Sequence, residues 1–257
     1  MIADLTPLIE DIRAMIVAGF AVFLRIGAMM AMLPVFGERS VPVRVRLVLT
    51  LAFTLVVAPA VVSQPPPLVA GAAAALGAEV VIGLFWGILI RLFVHALAMA
   101  GAIAAQSTSL SQIFGGSAGM EPQPAISSVM VVAGLALAAI MDLHVALATT
   151  MISTYDLMPA GQLPDPRTVS LVGVAHVAES FALAFSLAAP FLIVSTLYNV
   201  ALGVINRAMP QLMVTFVGAP AITAGGLFLL FLTLPFGLAL WSDALMRFLS
   251  EPGAMPR

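Results

Sequence analysis

Apolar residues run in long blocks along this chain, and short polar or proline-rich stretches separate them. The first block spans about Met15 to Val35. The second spans Leu47 to Val62 and follows the polar stretch Gly37-Glu-Arg-Ser-Val-Pro-Val-Arg-Val-Arg46. It ends at the turn signal Ser63-Gln-Pro-Pro-Pro67. A third runs from Leu68 to Ala105 with only Glu79, Arg91 and His95 to interrupt it, and Gly83 and Gly87 form a small-xxx-small face. After a polar loop from Gln106 to Gln123 come an apolar helix over Ala125 to Ile152, a loop from Ser153 to Thr168, a block from Val169 to Ile205 and a last one from Leu212 to Leu240. About 20 helical residues cross the roughly 30 Å hydrocarbon layer, so the pattern predicts an all-α, polytopic integral membrane protein of about six segments. The third and fifth blocks are too long for one straight span. Bending into hairpins is the expected solution, with Pro190 kinking the fifth near Ser186.

Composition narrows the reading. Of 257 residues, 62% are apolar and 9% charged, too few charges to give a water-soluble domain a polar shell. All ten basic residues are arginine and none forms a dense run, so there is no electrostatic footprint for nucleic acid. Without cysteine there are no disulfides, thiolate metal sites or cysteine nucleophiles. The N-terminus, Met1-Ile-Ala-Asp4, has no positive stretch and no small-residue cleavage site, so the first block is expected to stay in the mature chain. No shift in composition marks a second domain, and a single helical domain over 1–257 is expected. Arginines divide evenly between the two sides of a six-span count, so orientation stays open.

Enzymatic chemistry finds little support. Gly115-Gly-Ser117-Ala-Gly119 matches the G-x-S-x-G nucleophile elbow, but no strand precedes the serine and no acid and histidine partners are evident. His95, His144 and His176 stand alone in three segments, which does not suit a zinc site. A chain without lysine has no P-loop, so energy must come from partners or an ion gradient. The ionisable residues at membrane depth, Arg25, Glu79, Arg91, Asp142 and Glu179, are costly in lipid unless paired or facing a wet cavity. They form either structural ion pairs or a proton path, and a small secondary transporter using Glu79, Asp142 and Glu179 stays open beside any structural role. Methionines 99, 120 and 130 flank the central polar loop, where their adaptable side chains suit either packing or variable contacts.

Two stretches carry a family resemblance. Leu24-Arg-Ile-Gly27 with Leu33-Pro-Val-Phe-Gly-Glu-Arg-Ser-Val-Pro-Val-Arg-Val-Arg-Leu47, and Leu197-Tyr-Asn199-Val-Ala-Leu-Gly203-Val-Ile-Asn206-Arg207-Ala-Met-Pro210-Gln211-Leu followed by Val217-Gly-x-Pro220, resemble the flagellar biosynthetic protein FliR family. Asp142-Leu-His144 through Leu157-Met-Pro159 resembles the family's Asn-Gly-His region, with Asp-Leu in place of Asn-Gly. The resemblance covers about Arg25 to Leu240. It implies a non-enzymatic subunit, without cofactor or metal, of the type III protein export gate in the bacterial inner membrane at the flagellar basal body. One copy is implied, joined to several copies of two other small helical membrane proteins in a helical ring through which unfolded proteins pass. Virulence-type export gates use the same family. The resemblance further implies structural or assembly anchors at Arg25, Pro34, Arg44, Asn206, Arg207, Pro210 and Gln211, and a pore plug in the Gln106 loop. Leu110, Ile113 and Phe114 are the apolar knobs there, set on a flexible glycine- and serine-rich backbone that can part and reseal.

Overall fold

The computed structural model describes residues 6–38, 41–61, 72–108, 125–209 and 214–254. Seven α-helices account for nearly all of them: α1 Thr6–Met32, α2 Val43–Val61, α3 Ala72–Thr108, α4 Ala125–Ile140, α5 Leu143–Leu157, α6 Pro166–Ala208 and α7 Val214–Ser250. No strand occurs among the described residues. Among the described residues five helices are long and apolar enough to cross a membrane, and α4 with α5 forms a sixth candidate, bent by 78° at the break.

The two overlong blocks are not hairpins. Each is one continuous helix, α3 of 37 residues and α6 of 43, and α7 is a third with 37. At 1.5 Å per residue α6 is roughly 64 Å long, well beyond the thickness of a bilayer with its headgroups. Gly83 and Gly87 in α3 serve close packing instead of a reversal, and α6 passes through Pro190 without a break. The chain bends sharply inside the block that looked straight, Ala125 to Ile152. There Asp142 takes a left-handed conformation with φ 54° and separates α4 from α5. Aspartate tolerates that region better than most residues, so the turn forms where the family has Asn-Gly.

Local signals set several helix ends. Asp165 caps α6: its Oδ2 accepts the Thr168 N–H at 2.9 Å and the Thr168 hydroxyl at 2.8 Å, and Pro166 follows at the first helical position. The Thr168 hydroxyl, and then its N–H, holds the Asp165 carboxyl below its ordinary range. After α1 the chain turns tightly, with Val35 at φ 67°. Arg46 holds that turn by donating to the carbonyls of Phe36 at 3.3 Å and Glu38 at 3.1 Å.

The chain groups into two compact units, each assembled from separate stretches of sequence. The first comprises Met1–Leu92, Ala139–Val177 and Ala244–Arg257. Within it α2 packs on α1 and α5, and the face it turns inward is Thr50, Thr54, Val57 and Val61. The threonine hydroxyls donate to the carbonyls of Arg46 at 2.8 Å and Thr50 at 2.7 Å, so burial leaves them satisfied. Most of its leucines and valines face outward, Val43 at 77% and Leu55 at 76% exposure. A face that apolar needs lipid or another protein against it.

The second unit comprises Phe93–Ala138 and Ala178–Asp243. Small residues on α4 (Ser127, Gly134, Ala138) let the helices approach closely. A Cβ on Gly101 would strike the Ser127 backbone, and one on Gly134 would strike Leu97. Buried Trp241 donates its indole N–H to the Phe93 carbonyl at 2.8 Å, and Ser127 donates to the Ala98 carbonyl at 2.9 Å. Both bonds anchor polar groups that lipid could not satisfy.

Candidate functional site

The polar centre of the first unit is built around Arg25, fully buried at 0% exposure in the C-terminal third of α1. Its Nε donates to Glu79 Oε2 of α3 at 2.6 Å, with Glu79 at 1% exposure. Nη1 donates to the carbonyls of Thr154 at 3.3 Å and Met158 at 3.0 Å, at the C-terminal end of α5. The Thr154 carbonyl also accepts the Met158 N–H at 2.9 Å, and a cation at that end complements the helix dipole. The guanidinium carbon lies 3.8 Å from the centre of the Tyr155 ring, a cation–π contact in a dehydrated setting. Glu79 completes the centre by accepting the Gly161 N–H on Oε1 at 2.6 Å. Gly161 has φ 75°, where a side chain would be strained, which lets the 158–165 loop present that N–H to the carboxylate.

One arginine and one glutamate thereby tie α1, α3, the end of α5 and the following loop together. Close backbone approach makes this possible. A Cβ on Gly83 would fall on the Arg25 carbonyl oxygen, and one on Gly87 would lie 2.9 Å from Met32 Cβ. Arg91, half-buried on α3, donates to the Met32 carbonyl at 3.3 Å and lies 3.8 Å from Glu38. Arginine suits each of these positions because its planar fork reaches several acceptors at once.

The sequence-derived candidates divide accordingly. Arg25 and Glu79 come together, Arg91 lies at the end of α1, and Pro34 is buried in the turn after it. Arg44 is exposed, and its neighbour two residues on, Arg46, makes the turn contacts instead. Asp142 is exposed at the α4–α5 break, Glu179 is half-buried on α6, and Asn206 and Arg207 are exposed near the end of α6. Leu110, Ile113, Phe114, Ser117, Pro210 and Gln211 lie outside the described residues. Tyr155, Gly161 and Arg46 escaped the sequence reading. His176 is buried edge-on to Phe248 with centroids 4.9 Å apart, and His144 is exposed. Among the described residues no group of three or more His, Cys, Asp or Glu side chains is placed to hold a metal ion.

The class defined by these features is a polytopic helical membrane protein with a buried Arg25–Glu79 ion pair between two of its helices. Residues 16–248 match the family model described as bacterial export proteins, family 1, and the chain belongs to that family. It is similar to the flagellar biosynthetic protein FliR of Caulobacter vibrioides, 34% identical over 226 residues that make up 86% of this chain and 90% of the relative. It is also similar to the proteins of the same name from Escherichia coli, 28% identical over 82% of each chain, and Aquifex aeolicus, 26% identical over 83% of each.

Proposed function

We propose that this chain is a subunit of the flagellar type III protein export gate and contributes to the passage that unfolded flagellar proteins take across the inner membrane. The observation that carries the proposal is the family match over residues 16–248, together with relatives named for flagellar biosynthesis that align over most of both chains. That naming favours the flagellar over the virulence apparatus. The chain works without enzymatic chemistry of its own, as one copy among several copies of other small helical membrane subunits. Outward faces such as that of α2 are covered by those subunits or by lipid. The direct pairing of Glu79 with Arg25 supports a structural use of this charge over a proton path.

Tagged protein drawn from its native cells in mild detergent should emerge in a large complex with other export subunits, identified by mass spectrometry and counted by native mass. A lone monomer or symmetric homodimer would replace this reading with the secondary transporter. In this proposal the loop bearing Leu110, Ile113 and Phe114 contributes the seal. Deleting residues 110–114 should then raise the ion conductance of the inner membrane, and an unchanged conductance would remove the loop from the barrier.

A further inference from the structure

From Asn199 to Met209, the C-terminal end of α6 and the residue after it, every residue except half-buried Leu202 is exposed. Two stripes run along this end and the turns before it. Ile193, Leu197, Val200 and Val204, at 60%, 66%, 61% and 64% exposure, form one that is wholly apolar. Thr196, Asn199, Gly203 and Asn206, all exposed, form the other at spacings of three, four and three residues, about a third of a turn away. The first stripe suits lipid. The second does not, because a carboxamide left unpaired in hydrocarbon costs several kcal/mol. Thr196 returns its hydroxyl to the Leu192 carbonyl at 2.7 Å, but no described residue bonds the amides of Asn199 or Asn206. Nothing lies within 4 Å of where a Cβ on Gly203 would sit. Water is an equally poor cover for these turns, since Val204, Ile205 and Met209 share them at 64%, 44% and 57% exposure.

We propose that the Thr196–Asn199–Gly203–Asn206 stripe is a docking seam for a membrane helix of a different subunit, which deepens the export-gate reading and rests on it. The three-four-three spacing is the seam along which two helices cross at a shallow angle, and Gly203 lets the partner's backbone come close. Asn199 and Asn206 supply donors and acceptors across the interface. Arg207, exposed beside the seam, fixes the kind of partner by charge. A parallel second copy would set Arg207 against Arg207 in a low dielectric, and the nearest acid on α6, Glu179, lies 28 positions, or roughly 42 Å, away. The partner helix therefore carries an acidic side chain or free carbonyls at the level of Arg207.

The test uses the full chain in its native cells, with a photoreactive benzoylphenylalanine at Asn199 or Asn206 and, for comparison, at Leu197 or Val204. Adducts with another export subunit, identified by mass spectrometry, are expected from the first pair and not from the second. Replacing both asparagines (N199L with N206L) should lower recovery of that subunit about tenfold at an unchanged level of the chain in the membrane. Glutamine at the same positions, which keeps the amides, should restore it. An adduct at twice the mass of the chain, or adducts with lipid alone, would overturn the proposal. So would labelling of Asn206→Cys by a membrane-impermeant maleimide in the assembled complex, a clean readout in a chain without cysteine. If the double leucine variant recovers its partners as well as the natural chain does, the seam fails and the gate reading stands. If the natural chain recovers no export subunit, the gate reading itself fails.

Discussion

Replacing Arg25 by methionine should sharply destabilise the chain, because it leaves Glu79 as an unpaired charge at 1% exposure and frees the Thr154 and Met158 carbonyls of their cation. Removing one partner of a buried ion pair costs about 3–5 kcal/mol, whereas exchanging both for apolar residues of similar volume is often close to neutral. R25M should therefore fall in membrane abundance and in melting temperature in detergent, and R25M with E79M should recover much of both. Lysine at position 25 should lie between these, since an ammonium keeps the charge but cannot match the fork that reaches Glu79 and two carbonyls together. A melting temperature for R25M equal to that of the natural chain would show that the pair holds nothing in place.

Alanine at Gly83 should act on the same centre from outside it. The added methyl would fall on the Arg25 carbonyl oxygen and lie 2.8 Å from Ala28 Cβ, so α1 must move away from α3 and carry Arg25 with it. Overpacking of this kind typically costs about 1–3 kcal/mol, and here it also stretches the 2.6 Å bond to Glu79. Gly77 supplies the control on the same helix. Nothing lies within 4 Å of its Cβ position, so Gly77→Ala should stabilise α3 by up to about 1 kcal/mol through helix propensity. If the two variants melt alike, the tight α1–α3 contact is not a determinant of stability.

The sequence was legible wherever a residue's own chemistry set its environment. Long apolar blocks marked the helices, the four-residue spacing of Gly83 and Gly87 marked a packing face, and Arg25 and Glu79 stood out as charges at membrane depth. Their pairing was not legible, because partners 54 residues apart leave no periodic trace. The contacts of Arg46 and Arg91 were hidden for another reason: their acceptors are backbone carbonyls, which every residue carries alike. Arg44 and Arg46 differ by about 200° around a helix, so composition could not say which one faces the turn. Hairpins were expected in α3 and α6 because bilayer thickness was the ruler for helix length, and these helices exceed it without reversing. The real break depends on the backbone angle of Asp142, a single residue inside an apolar run.

The Arg25 centre also has a chronology. Arg25 and Glu79 are 54 positions apart, but the Thr154 and Met158 carbonyls follow Arg25 by 129 and 133 positions, and Gly161 follows Glu79 by 82. At about 5–20 residues synthesised per second, the loop amide emerges roughly 4–16 s after the glutamate it caps. Until Thr154 is made, 75 positions after Glu79, the ion pair is the only part of the centre that can exist, and it keeps two charges compatible with the bilayer while the ribosome is still making the helices that will enclose them. A nascent chain stalled between α3 and α5 would thus carry a half-built centre, the state in which membrane quality-control proteases would find this protein most vulnerable.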